Sequence, residues 1–412
     1  MILNTSTDDF LCGYNDRIIF DRLCTALRKL FDITVKEGTQ LSYLNLRIIQ
    51  SEHGVSYDQT EHIIRKIINK YFPPSKIEES KLKPVHTPFR TDSEYEKELM
   101  EQLPATGQEL KALEERYGGT FAGILGELMH VECISRFDLS YTIRRLGAYT
   151  HAPNAAAFAG LYRALRFLAT HPHRPIFYPN RKMDGYDDLT VHFDPPKFNS
   201  IKIPQGLCNI VDSDHARNNA TRKSYHCSIS LLNGVGIHNK MQQQKTIALH
   251  STHSEIVGTL VSTKEGMHIQ NICAFIGIPY DLIKPLQIFG DSQPCIDACE
   301  ANSVTARVKH LAVSLAYIHE QIEANIIKLE KIDTTLNIAD SGTKPNPSPT
   351  HFRHYDYIIG VRFYPPIESE HYQLLELHKF IKSPYTKDQM ELDTNNNSDD
   401  PICSESTSQD SV

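Results

Sequence analysis

Apolar positions in the first 75 residues follow first a helical period and then a strand period. Ile19, Leu23, Leu27 and Leu30 recur at three- and four-residue intervals, which places them on one stripe of a helix. The alternation in "LSYLNLRII" predicts one strand, and "EHIIRKIINKYF" returns to a helical pattern. Residues 1–75 are therefore predicted to form a small α+β unit.

Proline and charged residues are concentrated in the next stretch, over 73–98. Such a composition is typical of a connecting segment, so we predict a linker over 76–111. The apolar residues then regain a helical period in "FAGILGELMHVECI" and "AAAFAGLYRALRFLATH". These two stretches predict a helical connector, which we place at 112–206.

The pattern changes to short strands after Leu207. Turn-forming residues separate four apolar or alternating segments, "CNIVDSD", "YHCSISLL", "VGIHNK" and "TIALH". They are followed by a long helical pattern from Thr252 to about Phe275, a strand that ends at Asp291, a helix over about 308–324 and a last strand over 326–332. This order predicts an α/β fold, with a mixed sheet and helices against it over 207–365.

The length and composition exclude several classes of protein. A chain of 412 residues is long enough for two or three domains with real cores. It contains no run of eighteen apolar residues and no secretory pattern at its start, so we expect no membrane partner and an intracellular location. Its nine cysteines form no C-x-x-C pair, which argues against a zinc knuckle or a disulfide framework.

The charge is distributed unevenly along the chain. The net charge is -7, and the last 25 residues, 388–412, carry seven acids and no Lys or Arg. We predict a disordered acidic tail there, after a C-terminal extension over 366–387. Conversely, 217–254 contains bases and no acid, which predicts either a basic surface for nucleic acid or an ordinary solvated face. These bases are Arg217, Arg222, Lys223, Lys240 and Lys245.

Four acids stand where predicted strands end or predicted helices begin. Asp291 and Asp340 are placed like N-caps, and Thr252 with Glu255 fits a capping box. Asp212 is different, because it lies inside an apolar strand, where an unpaired carboxylate is costly. Two interpretations therefore remain, helix caps or a functional cluster.

Carboxylates gathered at one end of a sheet repel each other unless a cation lies among them. Oxygen ligands favour Mg²⁺ or Mn²⁺, and two such ions roughly 4 Å apart are the usual arrangement for phosphodiester hydrolysis. The alternative is a zinc pair formed by His250 and His253, although no Cys or third His is placed in the sequence to complete a tetrahedron. The acids therefore predict a nuclease-like site.

Five segments resemble, in order and rough spacing, the ribonuclease H domain of copia-type LTR retrotransposon polyproteins: "NIVDSDHARNNATRKSY", "ALHSTHSEI", "FGDSQPCI", "RVKH" and "NIADSGTKP". That family typically shows D-A-D, S-S-T-E-A-E, a D-N/S-Q/K box, R-T-K-H and A-D-x-x-T-K. By this resemblance, the mixed sheet is ribonuclease H-like and has five strands, and the four metal-binding and catalytic carboxylates are Asp212, Glu255, Asp291 and Asp340.

The resemblance extends upstream and covers about 1–365. The stretch from "ERYGGTFAGILGEL" to "YRALRFLATH" is similar to the family's connector, and "STDDFLCGYND" and "GVSYDQTEHIIRKII" look like the final third of its reverse transcriptase. Asp8 and Asp9 would then be the hairpin aspartates of a palm and thumb remnant. A polymerase site needs a further aspartate from an earlier strand, so we expect no primer extension by this chain.

The resemblance implies a partner and a reaction. The partner is an RNA–DNA hybrid, and the reaction is hydrolysis of its RNA strand with two Mg²⁺ or Mn²⁺ ions and no small-molecule cofactor. It also implies a cytoplasmic and nuclear location and leaves the oligomeric state open. The bases expected to bind phosphates are Arg217, Arg222, Lys223, Lys240, Arg307 and Lys309.

Three residues depart from the family pattern. His253 replaces the first Glu of T-E-A-E, His215 replaces an aromatic residue after D-A-D, and Ser6 replaces the aromatic residue before the hairpin aspartates. These departures leave two alternatives to an active nuclease. One is a non-catalytic nucleic-acid-binding relic, and the other is part of a longer active RNA-directed DNA polymerase that starts upstream of Met1.

Overall fold

The computed structural model describes residues 1–73, 83–180, 206–217, 221–301, 305–361 and 369–370. The predicted acidic tail lies outside these ranges, as does most of the predicted C-terminal extension. The end of the predicted connector, 181–205, lies outside them too.

The chain begins with a two-stranded antiparallel hairpin and a helix. Strand β1 (Ile2–Ser6) pairs with β2 (Asp9–Gly13), and helix α1 (Arg17–Arg28) follows. Its buried residues are Phe20 and Cys24, one position away from the predicted stripe. The predicted stripe is wrong in detail, because Ile19 and Leu30 at its two ends are exposed.

The second sheet corrects the prediction of a single strand in "LSYLNLRII". Two strands, β3 (Gln40–Tyr43) and β4 (Leu46–Ser51), pair antiparallel across a two-residue turn. Leu44 and Asn45 in this turn have φ values of +49° and +63°, the left-handed conformation that tight hairpins need. The order is β3-β4-β5-β6, with β5 (Gly54–Asp58) and β6 (Ile176–Pro179).

Helices occur before the predicted connector, in the segment that was predicted as a linker. A π-helical turn at Thr60–Ile64 leads into α2 (Arg65–Tyr71). Helix α3 (Ser93–Glu101) and the first half of α4 (Gly107–Tyr117) lie in the segment predicted as a linker. The linker prediction is wrong there, because Tyr95 and Leu99 lie four residues apart and bury one face of α3 despite its acidic composition. The predicted connector helices are α5 (Phe121–Glu132), α6 (Ser140–Gly147) and α7 (Ala155–Thr170).

The third sheet is the five-stranded mixed sheet that the sequence predicts. Its order is β11-β10-β7-β8-β9, with β7, β8 and β9 antiparallel and with β10 and β11 parallel to β7. The strands are β7 (Leu207–Ser213), β8 (Tyr225–Leu232), β9 (Val235–Gln243), β10 (Leu286–Gly290) and β11 (Ile327–Lys331). This arrangement confirms the α/β fold class and the predicted mixed sheet of five strands.

One predicted strand, "TIALH", is a loop. It connects β9 to the long helix and pairs with no strand in the part of the chain that the structure describes. Ile247 is 52% and Leu249 is 71% exposed, so their alternation does not mark a buried face.

Both faces of the five-stranded sheet are covered. Val211 belongs to a core shared with the long helix, whereas the adjacent Ile210 points the other way, into a core shared with the connector helices. The connector is therefore packed against the sheet. The remaining helices are α8 (Ser251–Phe275), α9 (Gln293–Glu300), α10 (Ala312–Glu323), α11 (Asp340–Thr343) and α12 (Ser348–Ile358). Among the described helices, none has the length and apolarity needed to cross a membrane.

Candidate metal-binding site

Three elements bring acids to one edge of the five-stranded sheet. Strands β7 and β10 are parallel neighbours, so their carboxyl ends meet at the same edge. Asp212 is the last residue but one of β7, and Asp291 directly follows β10. Strand β9 also ends at this edge, and α8 starts soon after it, which brings Glu255 near the two aspartates.

These three side chains converge. One carboxylate oxygen each from Asp212, Glu255 and Asp291 lies within 4.8 Å of the other two. Within the described ranges, no other group of three or more His, Cys, Asp or Glu side chains converges to this extent. The geometry therefore offers an all-oxygen site of the kind that Mg²⁺ and Mn²⁺ prefer.

The electrostatics of the group also fit a cation. Asp212 is only 2% exposed, and burial, followed by the charge of Asp340, raises its pKa to about 7. Burial, followed by the charges of Asp212 and other neighbours, raises the pKa of Glu255 well above its usual range. Acids with such raised pKa values are expected to lose their protons when a divalent cation binds between them, because the cation stabilises the carboxylate form.

Asp340 lies beside this trio and is held by a lysine. It opens α11, and the Lys344 Nζ atom is 2.7 Å from Asp340 Oδ1 and 3.8 Å from Asp212 Oδ2. The Thr343 hydroxyl donates a hydrogen bond to the same Asp212 oxygen. Burial raises the pKa of Asp340, although the Lys344 ammonium acts against this effect. The four predicted carboxylates thus lie close together, and oxygens of three of them lie within 4.8 Å of one another.

Lys344 and Thr343 were not among the predicted site residues. Burial acts to lower the pKa of Lys344, but Asp212 and Asp340 outweigh it, so this pKa is raised and the side chain stays charged. The sequence did carry an indication, since Lys344 follows Asp340 at the i,i+4 spacing at which opposite charges meet on a helix. Nothing in that spacing indicated a contact with Asp212, which is far away in sequence.

The alternative interpretation of the acids as helix caps does not describe the structure. Helix α8 begins at Ser251, and its cap is His250, whose Nδ1 atom accepts a hydrogen bond from the His253 N–H at 3.1 Å. Helix α9 is preceded by Ser292, so Asp291 lies one residue before the cap position. Asp340 already lies inside α11, whose cap position is occupied by an alanine.

A histidine cluster lies at the start of α8. His253 is buried, and its Nδ1 atom lies 2.9 Å from His310 Nε2 and 3.2 Å from the Leu249 N–H that donates to it. His310 thus supplies a third histidine that sequence reasoning missed. The alternative of a zinc site gains no support, because the nitrogen atoms of His250, His253 and His310 do not converge as the three carboxylates do.

The other departures from the family pattern lie on the surface or in the hairpin. His215 is exposed, with Nε2 3.2 Å from the main-chain oxygen of Ala248. Ser6 ends β1, and the predicted hairpin aspartates Asp8 and Asp9 are exposed in the turn and at the start of β2. In the part of the chain that the structure describes, no third acid converges with these two.

Two groups of predicted phosphate-binding residues lie near the carboxylate edge. Arg217, Arg222 and Lys223 lie in the loop that joins β7 to β8 at that edge. Arg307 and Lys309 lie in the exposed turn before α10, which the contact of His310 with His253 places next to the start of α8.

Lys240 differs from the other predicted phosphate-binding residues. Its Nζ atom is 3.3 Å from a carboxylate oxygen of Glu265, in the middle of α8. Its charge is therefore partly compensated within the protein.

Asp214 is another buried acid near the edge. It is 5% exposed, and its carboxylate accepts a hydrogen bond from the Tyr225 N–H at 2.9 Å. Burial raises the pKa of Asp214 to about 6. Its contact across the loop indicates a structural role, because it fixes the connection between β7 and β8.

The chain is similar to proteins encoded by plant transposons. It is 25% identical over 360 residues to the "Retrovirus-related Pol polyprotein from transposon RE2" of Arabidopsis thaliana, which covers 87% of the chain and 22% of that protein. It is 22% identical over 348 residues to the corresponding polyprotein from transposon TNT 1-94 of Nicotiana tabacum, covering 84% of the chain and 23% of the relative. The chain thus spans less than a quarter of the length of these relatives. No protein-family model matches it.

Solved structures of two kinds are similar to parts of the chain. LC11-RNase H1 aligns with 34% of the chain and 93% of its own length, at 14% identity and a TM-score of 0.27. The foamy viral protease-reverse transcriptase in complex with an RNA/DNA hybrid aligns with 81% of the chain and 36% of its own length, at 11% identity and a TM-score of 0.40.

Proposed function

Because the chain is related over most of its length to the retrovirus-related Pol polyproteins of transposons, we propose that its sheet domain is a metal-dependent ribonuclease H. The reaction is hydrolysis of the RNA strand of an RNA–DNA hybrid. The observation that carries the proposal is the convergence of Asp212, Glu255 and Asp291 to within 4.8 Å on a ribonuclease H-like sheet.

Asp212, Glu255 and Asp291 would hold one Mg²⁺ or Mn²⁺ ion, and Asp340 would contribute to a second. When bound, such ions lower the pKa of the attacking water and stabilise the leaving 3′ oxygen. The residues around them fix the acids in place. Thr343 donates to Asp212, and the buried position of Asp212 in a central strand leaves its carboxylate little freedom to move.

The flanking bases suit the binding of a nucleic-acid backbone. Arg217, Arg222 and Lys223 on one side, and Arg307 and Lys309 on the other, would contact phosphates on either side of the carboxylate edge. Lys240 stays in the proposal as a weaker contributor, because Glu265 already compensates its charge. Binding that depends on these contacts should weaken as salt is added.

The test uses the purified full chain, Mg²⁺ and a hybrid that carries separate labels on its RNA and DNA strands. We expect fragments from the RNA strand alone and an intact DNA strand. The combined D212N and D291N variant is the control and should leave the RNA intact. Cleavage that survives this double substitution, or equal cleavage of both strands, would contradict the proposal.

A second candidate function is binding of a hybrid without cleavage. The observation that favours it is His253, which occupies the position of a family Glu and contacts His310. Salt-sensitive binding of the hybrid with no Mg²⁺- or Mn²⁺-dependent loss of RNA would support this candidate.

We also propose that this chain does not extend a primer. Asp8 and Asp9 are exposed in the hairpin, and a two-metal transfer needs a further acid beside them. Extension of a primed RNA template by the purified chain, with deoxynucleotides and Mg²⁺, would contradict this part and favour the alternative of an active polymerase.

A further inference from the structure

Lys344 lies between two carboxylates of the candidate site. Its Nζ atom is 2.7 Å from Asp340 Oδ1 and 3.8 Å from Asp212 Oδ2. A lysine ammonium that contacts two acids compensates part of their charge, as a bound cation would. On this side of the site, the protein itself therefore compensates part of the negative charge.

Among the described residues, no ion pair joins Glu255 or Asp291, on the other side of the site, to a lysine or arginine. The oxygens of Asp212, Glu255 and Asp291 converge to within 4.8 Å, and Asp340 is not part of that group. A divalent ion bound among the three would leave the Lys344 contact to Asp340 in place. An ion bound between Asp212 and Asp340 would compete directly with the ammonium, because both cations need the same oxygens.

The two partners of this contact differ in exposure and in the length of their side chains. Asp212 is 2% exposed and fixed by Thr343, whereas the Lys344 side chain is 32% exposed and carries its charge on a flexible four-carbon stem. Lys344 can therefore leave the carboxylates without a change in the strand, provided that another anion is available to its ammonium. A phosphate of a bound nucleic acid is such an anion.

We propose that Lys344 is a positioning residue that limits the nucleic-acid-free protein to one tightly held divalent cation. It does so by occupying the position between Asp212 and Asp340. A bound hybrid releases this block by drawing the ammonium to a phosphate, so the second cation binds together with the substrate. The last step rests on the proposed ribonuclease H function, whereas the cation count of the free protein does not.

The test is a Mn²⁺ titration of the full chain without nucleic acid, with free Mn²⁺ measured by electron paramagnetic resonance. We expect one tightly bound ion per wild-type chain and two per K344Q chain, with the second ion bound at least tenfold more tightly than in wild type. K344R keeps the charge and should bind one ion tightly. The double variant D340N/K344Q should return to one, which assigns the second ion to Asp340.

Lys331 provides a matched control. Its ammonium is also close to the site, but it donates to the main-chain oxygen of Asp291 and contacts no site carboxylate. K331Q should therefore bind one ion, as wild type does. A purely structural role of Lys344 would change the melting temperature in K344Q without changing the number of Mn²⁺ ions.

A second arm adds a hybrid whose RNA strand is 2′-O-methylated and resists cleavage. After subtraction of the Mn²⁺ bound by the hybrid alone, wild type should rise from one ion to two.

Two equally tight ions in the free wild-type chain would overturn the proposal even if K344Q did not fold. So would equal titrations of wild type and K344Q, or K344R behaving like K344Q. Failure of RNA cleavage alone would contradict the proposed function and leave the cation count of the free protein intact.

Discussion

The buried side chain of Asn337 joins two segments that are 126 residues apart, since its Nδ2 atom donates to the main-chain oxygen of Val211 at 3.1 Å. Its Oδ1 atom accepts from the Ala339 N–H, also at 3.1 Å. One amide therefore fixes the turn before Asp340 to the strand that carries Asp212.

We predict that N337A destabilises the protein by about 1–3 kcal/mol, because it leaves a buried carbonyl and a buried N–H without their partner. It should also weaken binding of the second Mn²⁺ ion, measured with the cleavage-resistant hybrid, since Asp340 loses its fixed position relative to Asp212. Urea denaturation and a Mn²⁺ titration measure the two effects. An unchanged midpoint would show that this contact does not hold the two segments together.

A second prediction concerns Asp291, which lies between β10 and α9 without capping the helix. D291N keeps the size of the side chain but removes a charge from the carboxylate trio. We expect a loss of Mg²⁺-dependent RNA cleavage of about 100-fold or more, with unchanged or slightly increased stability because repulsion between the acids falls.

Asp297 offers the matched control for this substitution. It is exposed on α9 and accepts a hydrogen bond from the Gln293 side chain at 2.8 Å, so D297N changes the same charge away from the trio. Cleavage rates and thermal melting are compared across the three chains. Equal cleavage by D291N and D297N would remove Asp291 from the site.

The sequence predicted the carboxylate edge well because the relevant information is local. Asp212 breaks an apolar strand, and Asp291 directly follows one, so their strands could be located from the pattern of neighbouring residues. The resemblance to a family then gave the four acids a common predicted role as metal ligands. Glu255 could be placed at the start of a long helix for the same reason.

The missed features depend on contacts between distant residues or on turn geometry. His310 meets His253 across 57 residues, and no periodicity indicates such a contact. The β3–β4 hairpin turns at Leu44 and Asn45 without a glycine, so its turn was read as part of one strand. The charged helix α3 was read as linker because its buried face consists mainly of Tyr95 and Leu99.

A third prediction concerns the close packing of α11 on β8. A Cβ atom added at Gly342 would lie 2.4 Å from Cys227 Sγ and 2.8 Å from Cys227 Cβ. G342A should therefore push α11 away from the sheet, at a cost of about 1–3 kcal/mol. It should also weaken binding of the second Mn²⁺ ion in the presence of the cleavage-resistant hybrid, because Asp340 belongs to the same helix.

Gly126 is a suitable comparison for this variant. It lies in α5, and a Cβ atom added there would meet nothing within 4 Å. G126A should be neutral or stabilising by up to about 1 kcal/mol, because alanine favours the helix more than glycine does. Denaturation midpoints that fall equally in both variants would argue against the contact with Cys227 as the cause.

The last prediction uses the raised pKa of Asp212. This pKa is about 7 in the folded protein, well above the value of an unfolded aspartate, near 4. Between these two values the folded state binds the proton and the unfolded state does not, so the stability that this group contributes falls as the pH rises. The contribution is complete below about pH 4 and is lost by about pH 7, and it amounts to a few kcal/mol at most.

Buried histidines act in the opposite direction, since burial lowers their pKa values and acid then destabilises the folded state. The histidines whose pKa values burial lowers include His171, His226, His253, His351 and His354. The effect of Asp212 is therefore isolated by comparing wild type with D212N, in which position 212 does not titrate and the histidines remain.

Without divalent ions, wild type should lose stability relative to D212N from pH 4 to 7. Adding Mn²⁺ above pH 7 should restore stability to wild type and much less to D212N, because the ion binds the ionised carboxylate. If the difference in unfolding free energy between wild type and D212N did not vary with pH, burial at this edge would not raise the pKa of Asp212. The raised pKa could then not be a reason for this carboxylate to bind a cation.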